Sequence, residues 1–171
     1  MNNQNITKPL FELEKGFKRV MNKAPLLAGN EMLNFAQDNF RKGGFQGATF
    51  QKWNKRKNPN KWGQKDKNPG RAVLVKKGAL KRDGRLSHVT TEQAVIAYSL
   101  PYAKAHNEGI NGIGVIQSVG SYTRKNGQQV QAHKRRITMR LVARKFIDNS
   151  PVANQRIKRV IAVEILKEFK R

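Results

Sequence analysis

Gln93-Ala94-Val95-Ile96-Ala97-Tyr98-Ser99-Leu100-Pro101-Tyr102-Ala103-Lys104-Ala105-His106-Asn107-Glu108-Gly109 is the stretch on which the fold turns. Its first half, Ala94 to Tyr98, is a short apolar run rich in β-formers and reads as a strand. Pro101 cannot continue a ladder, and His106 to Gly109 reads as a turn. Upstream, Ala72-Val73-Leu74-Val75 has the same character, and we expect a second strand there, with Lys81 to His88, containing Asp83-Gly84, as the connection. Downstream, Ile113 to Val119 and Arg136 to Leu141 read as weaker strands flanking a turn at Lys125-Asn126-Gly127. Together these runs imply a small antiparallel sheet.

Helices flank the strands. Ser150 is a good N-cap with Pro151 at the first helical position, and Ile157, Val160, Ile161, Ile165 and Phe169 follow at helical spacing. At the other end, Leu10, Leu13, Phe17, Val20 and Met21 form one apolar face after Thr7 and Pro9, interrupted by Gly16. A second helix is expected from about Asn30 to Arg41, carrying Met32, Leu33, Phe35, Ala36 and Phe40 and stopped by Gly43-Gly44. From Gly43 to Arg71 periodicity vanishes and Gly, Asn, Lys and Pro dominate, so we expect an extended basic arm ordered by a partner. The expected class is α+β: one domain over 1–171, with two N-terminal helices, a small antiparallel sheet, a C-terminal helix, the 43–71 arm and a basic hairpin or loop insertion over 112–136. No internal repeat is visible.

Thirty-five Lys plus Arg against eleven Asp plus Glu give a formal charge of +24 over 171 residues. The excess sits in two blocks. Residues 41–85 hold fifteen Lys/Arg and two acids, Asp66 and Asp83, while residues 124–145 hold eight Lys/Arg and no acid. Such density repels itself unless phosphate, an acidic partner or a neighbouring subunit lies close. With 37% hydrophobic residues we expect a small core with solvated arms. Cysteine is absent, which removes disulfides and thiolate metal sites. No apolar stretch suggests a membrane span or a secretory signal, so the protein is expected to work where it is made, or in a particle assembled there.

Catalytic chemistry is hard to build from these residues. His88, His106 and His133 lie in separate segments without metal-ligand spacing, and neither Ser87 nor Ser118 sits in a nucleophile-elbow pattern. Gly109-Ile110-Asn111-Gly112-Ile113-Gly114 does not spell a dinucleotide fingerprint and reads as a flexible turn. No catalytic residue, metal or cofactor is expected. The arm interleaves rings with charge at Trp53, Lys55, Arg56, Lys57, Lys61 and Trp62. Single-strand binders use that alternation, rings on bases and cations on phosphates. Assembly arms use it too, with tryptophans anchored in a neighbour's pockets, and we favour that reading. Lys134-Arg135-Arg136 is a second candidate contact, its bland alternative a solvated strand edge.

Three runs carry a resemblance. Leu74 to Arg82 with Gly78-Ala79-Leu80, Leu100 to Gly109 with Pro101-Tyr102-Ala103, His106 and Gly109, and Ala143-Arg144-Lys145-Phe146 before the terminal helix occur in this order. Each is short, but the ordered set resembles the phage virion morphogenesis family, which includes tail completion proteins of contractile-tailed phages and related neck components. The resemblance covers residues 45–170, with Phe50 and Trp53 matching an aromatic pair in the arm. It departs at Asp83, where the family commonly has serine, and in the long basic insertion from Gly112 to His133.

The resemblance implies a non-enzymatic structural protein of the virion, at the tail or neck, passing through the host cytoplasm during assembly. Its implied partners are further copies of itself in a ring and neighbouring neck and tail proteins, with no membrane. A basic inner surface could also meet channel DNA through sequence-independent phosphate contacts. It marks Gly78, Leu80, Tyr102, His106, Gly109, Arg144 and Phe146 as structural residues of the family motif. The alternative is a sequence-independent nucleic-acid-binding protein that uses the aromatic, Lys-rich arm.

Overall fold

A computed structural model of the chain describes residues 4–55, 65, 67, 68 and 70–170. Its elements are α1 (Gln4–Lys42), β1 (Gly44–Gln46), β2 (Phe50–Lys52), α2 (Ala79–Asp83), β3 (Arg85–Val89), β4 (Ala94–Ala97), α3 (Ala103–Glu108), β5 (Ile110–Val119), β6 (Tyr122–Thr123), β7 (Gln129–Val130), β8 (His133–Leu141) and α4 (Pro151–Phe169). The class is α+β. Among the described residues the strands pair antiparallel throughout, but as four two-stranded ladders rather than one sheet: β1 with β2, β3 with β4, β5 with β8 and β6 with β7.

The two expected N-terminal helices are one helix of 39 residues that runs through Pro25. Proline in a helix interior removes a hydrogen bond and costs about 3 kcal/mol. Packing on both sides of Pro25 holds a single helix. Val20 and Ala24 are buried before it, and Phe35, Ala36 and Phe40 after it. α4 lies antiparallel along the same helix. Arg19 donates to Glu168 over 2.9 Å at one end, and Arg156 bridges Glu31 at 2.6 Å and Asp38 at 2.8 Å at the other. Burial pushes the Asp38 carboxyl up, but hydrogen bonds from Arg156 and Arg41 outweigh it and hold the carboxyl below its ordinary range. Gly29 lets the β3–β4 hairpin approach the helix, because a Cβ there would stand 2.6 Å from Leu86 Cδ2 and 3.0 Å from Ala94 Cβ.

The arm expected from Gly43 begins as a tight hairpin instead. β1 and β2 pair Gly44 with Lys52 and Gln46 with Phe50, and Trp53 N–H donates to the Gly43 carbonyl at 2.9 Å. Phe45 is buried edge-on against Phe35, ring centroids 6.0 Å apart. The aromatics without a period are thus a device for tying the hairpin to α1. Residues 56–64, 66 and 69 of the expected arm lie outside the described residues.

Ala72 to Val75 is not a strand. Leu74 adopts φ 62, and Val75 N–H closes a turn onto the Ala72 carbonyl at 3.2 Å. Val73, Leu74 and Val75 pack half-buried against a core of Phe40, Trp53, Leu80, Ala103 and Phe146. A short apolar run can bury itself by folding over the edge of a core as well as by entering a sheet, and periodicity cannot separate the two. The expected connection from Lys81 to His88 is instead α2 followed by β3, which pairs with β4 through Arg85↔Ala97 and, past a bulge, Val89↔Ala94. Asp83 fixes the junction: its carboxylate accepts from Leu100 N–H at 2.9 Å.

The centre of the core is Phe146, 1% exposed. Its ring lies 5.0 Å from that of Phe40 and 4.9 Å from that of Tyr98. Burial, with the nearby Asp83 charge, pushes the Tyr98 phenol up to about 12. The backbone around Phe146 is held by buried side chains. Asn39 donates through Nδ2 to the Phe146 carbonyl at 3.1 Å and accepts from Gln46 N–H at 3.1 Å. Ser150, fully buried, donates to the Gln46 carbonyl at 2.6 Å and caps α4 by accepting from Val152 and Ala153 N–H. Phe146→Ala should therefore destabilise the fold by about 3–5 kcal/mol. Asn39→Ala should cost about 1–3 kcal/mol through a buried carbonyl and amide left unpaired. Urea unfolding followed by circular dichroism checks both, and a Phe146→Ala loss no larger than that of exposed Phe169→Ala would contradict this placement.

Candidate functional site

Three separated runs of sequence meet at one end of the molecule. Gly78 stands at the N-terminus of α2 with φ 72, and Leu80 behind it is 3% exposed in the core. Tyr102 precedes α3, its ring edge-on to His106 at 5.8 Å and 80°. The expected turn at 106–109 is the end of this short helix. Gly109 ends it with φ 80, where an added Cβ would lie 2.8 Å from the Leu141 carbonyl oxygen and 2.9 Å from Ala143 N. A side chain at 109 would thus be strained and would push against the exit of β8.

The segment after β8 is stitched to α3. Arg144 N–H donates to the His106 carbonyl at 2.7 Å, and Asn107 Oδ1 accepts from the N–H groups of Phe146 at 3.0 Å and Ile147 at 3.2 Å. The Arg144 guanidinium reaches the Asn54 carbonyl, with Nε and Nη2 both at 3.3 Å. Between these pieces opens a cleft of about 660 Å³. Val73, Leu74, Val75 and Leu80 give it apolar surface; Tyr102, His106 and Arg144 line it as well, and Lys76 and Lys77 add positive charge. No acid lines it. The Nδ1 of His106 is buried and has no hydrogen-bond partner. Burial pushes the His106 imidazole below its ordinary range, and the Arg144 charge adds to that.

The residues that carry the resemblance thus come together, Leu80 and Phe146 inside the core and Tyr102, His106 and Arg144 along the cleft beside it. The candidate contact residues do not join them. Trp53 is 6% exposed, packs edge-on to Phe40 at 5.6 Å and donates through Nε1 to the Lys145 carbonyl at 2.7 Å. It is a core residue, with no free ring face for a base or a neighbouring subunit. Lys55 is exposed, and Arg56, Lys57, Lys61 and Trp62 lie outside the described residues. Lys134, Arg135 and Arg136 are exposed on β8, opposite Ser118, Gln117 and Ile116 of β5. Arg135 donates to Gln117 Oε1 from Nε at 3.1 Å and Nη2 at 2.9 Å, which leaves Lys134 and Arg136 on the opposite face of the ribbon.

Asn39 and Asn107, and the second bond of Ser150, were not foreseen from sequence. The available signal was an asparagine next to Phe40 on an otherwise apolar helix stripe, a placement that demands a buried partner. Among the described residues no three His, Asp or Glu side chains gather as a metal set, and no helix is long and apolar enough to cross a membrane.

The depressed His106 imidazole implies a pH effect of defined sign. The folded state binds this proton less readily than the unfolded chain, whose histidines titrate near 6.5. The stabilisation is present above that value and is lost as pH falls through the folded-state pKa. Urea midpoints measured between pH 8 and 4.5 should decline on the acid side less steeply in His106→Gln than in the wild type; identical slopes would contradict the placement. Compared with family models, curated proteins and solved structures, the chain matches none.

Proposed function

We propose that this chain is a non-enzymatic structural protein of a phage virion, acting in tail completion or head-tail joining and assembling as a ring through protein-protein contacts. The observation that carries the assembly reading is the apolar surface left on the α1–α4 pair. Leu10 and Phe11 are 59% and 63% exposed, with Leu13, Phe17 and Met21 following on α1 and Leu166 and Phe169 on the adjoining end of α4. A lone subunit in water gains nothing from so many large apolar side chains along one helical end, whereas an interface does. The ordered motif set supports the phage reading by resemblance, and its residues pack around one core and cleft. In this reading the body is the α1–α4 pair and the Phe146 core, and the β5–β8 ribbon reaches outward.

A sequence-independent nucleic-acid binder is the second reading, favoured by the ribbon. β5 and β8 form a long two-stranded arm whose β8 strand presents Lys134, Arg136 and Arg140 on one face. A two-stranded ribbon fits the major groove, and its cations suit phosphate. Light scattering coupled to size exclusion separates the two. Nuclease-treated protein should run as an oligomer at both 0.1 M and about 1 M salt, since apolar contacts survive screening. A monomer that enlarges only with added DNA, and releases it as salt rises, would sink the assembly reading in favour of the binder.

A further inference from the structure

The chain is poor in acids, and nearly all of them are committed internally. Among the described residues Glu31, Asp38, Asp83, Glu108, Asp148, Glu164 and Glu168 each pair with a cation of their own chain. Glu12, Glu14 and Glu92 are exposed, and among the described residues no ion pair engages them. Glu92 lies in the turn between β3 and β4. Glu12 and Glu14 are interleaved with exposed apolar residues of α1, in Leu10-Phe11-Glu12-Leu13-Glu14. One end of the molecule is therefore an apolar helix tip with two unmatched negative charges.

The other end has the opposite character. The cleft offers apolar surface from Val73, Leu74, Val75 and Leu80, and positive charge from Lys76 and Lys77, with no acid among the described residues that line it. A chain cannot close this match on itself. The cleft's apolar residues pack on the core around Phe40, and Glu12 stands 28 residues away along α1, roughly 42 Å at 1.5 Å per residue. We infer that the Leu10–Glu14 tip of α1 docks into the Leu74–Leu80 cleft of a second copy of this chain, Leu10 and Phe11 on its apolar surface and Glu12 and Glu14 against Lys76 and Lys77. The occupant is an amphipathic helix laid in an apolar groove, one of the recurring modes of helix recognition. Two different surfaces are used, so the contact is head-to-tail. Repeated contacts of that kind close into a ring when the rotation between copies allows. This deepens the ring reading above and rests on it.

Charge-swapped full-length proteins test it. Variant one carries Glu12→Lys and Glu14→Lys; variant two carries Lys76→Glu and Lys77→Glu. All four positions are exposed, and circular dichroism verifies that both variants fold. Each variant alone sets like charges against each other and should self-associate at least about tenfold more weakly than the wild type, by light scattering at 0.15 M salt. Mixed in equal amounts they should recover the wild-type mass, because each tip then meets a cleft of opposite sign. Glu92→Lys, an exposed acid in the β3–β4 turn away from both tip and cleft, should leave that mass unchanged. If both variants keep the wild-type mass, this contact is refuted while ring assembly stands. Weakening without recovery on mixing also refutes it. A wild type that stays monomeric refutes the contact and self-assembly together, and one that grows only with added duplex DNA refutes both in favour of the nucleic-acid binder.

Discussion

The Phe146 segment is the constraint on which the rest depends. Four elements distant in sequence reach it: α1 through Phe40 and Asn39, the β1–β2 hairpin through Trp53, β4 through the adjoining Tyr98, and α3 through Asn107. An irregular segment at the centre of a core has no ladder to satisfy its amides and carbonyls, and leaving them bare in a low dielectric costs more than a hydrogen bond returns. Asparagine, tryptophan and serine side chains supply the missing partners. That network sets where β8 ends and where α4 starts, and so aligns α4 along α1.

From this centre the molecule extends in two directions. The α1–α4 pair runs away from the core and carries exposed apolar side chains to its far end, while the β5–β8 ribbon projects cations. Under the assembly reading proposed above, neighbouring copies would cover the exposed apolar side chains of the helix pair. Charge is arranged to match. Among the described residues, acids near the core and along α4 are neutralised within the chain while Glu12 and Glu14 at the far end of α1 are not, and the positive excess is displayed on the ribbon and around the cleft.

Local rules read the chain well where one element's own chemistry decides. The Ser150-Pro151 start of α4 was legible because a cap and a pre-set φ act within one turn. The Lys125-Asn126-Gly127 turn was legible because Gly127 takes φ 80. The long helix across Pro25 and the turn at Val73 to Val75 were not, because packing against distant partners outweighs local preference at both. Trp53 shows the same limit at the site. In sequence it is a ring among lysines, and only the burial of Phe40 and the Lys145 carbonyl beside it makes it a core residue.

By itself the sequence determined the α+β class, the positive charge and its two blocks, the absence of thiol chemistry, and the order of the three short motifs. These follow from composition, period and backbone restriction, which act over a few residues. Tertiary structure alone decided that the motifs converge, that a cleft with positive charge opens beside Tyr102 and His106, and that an acidic, apolar helix tip lies at the opposite end of α1. Those facts depend on which distant surfaces exclude water together, and burial is a property of the folded arrangement rather than of any segment.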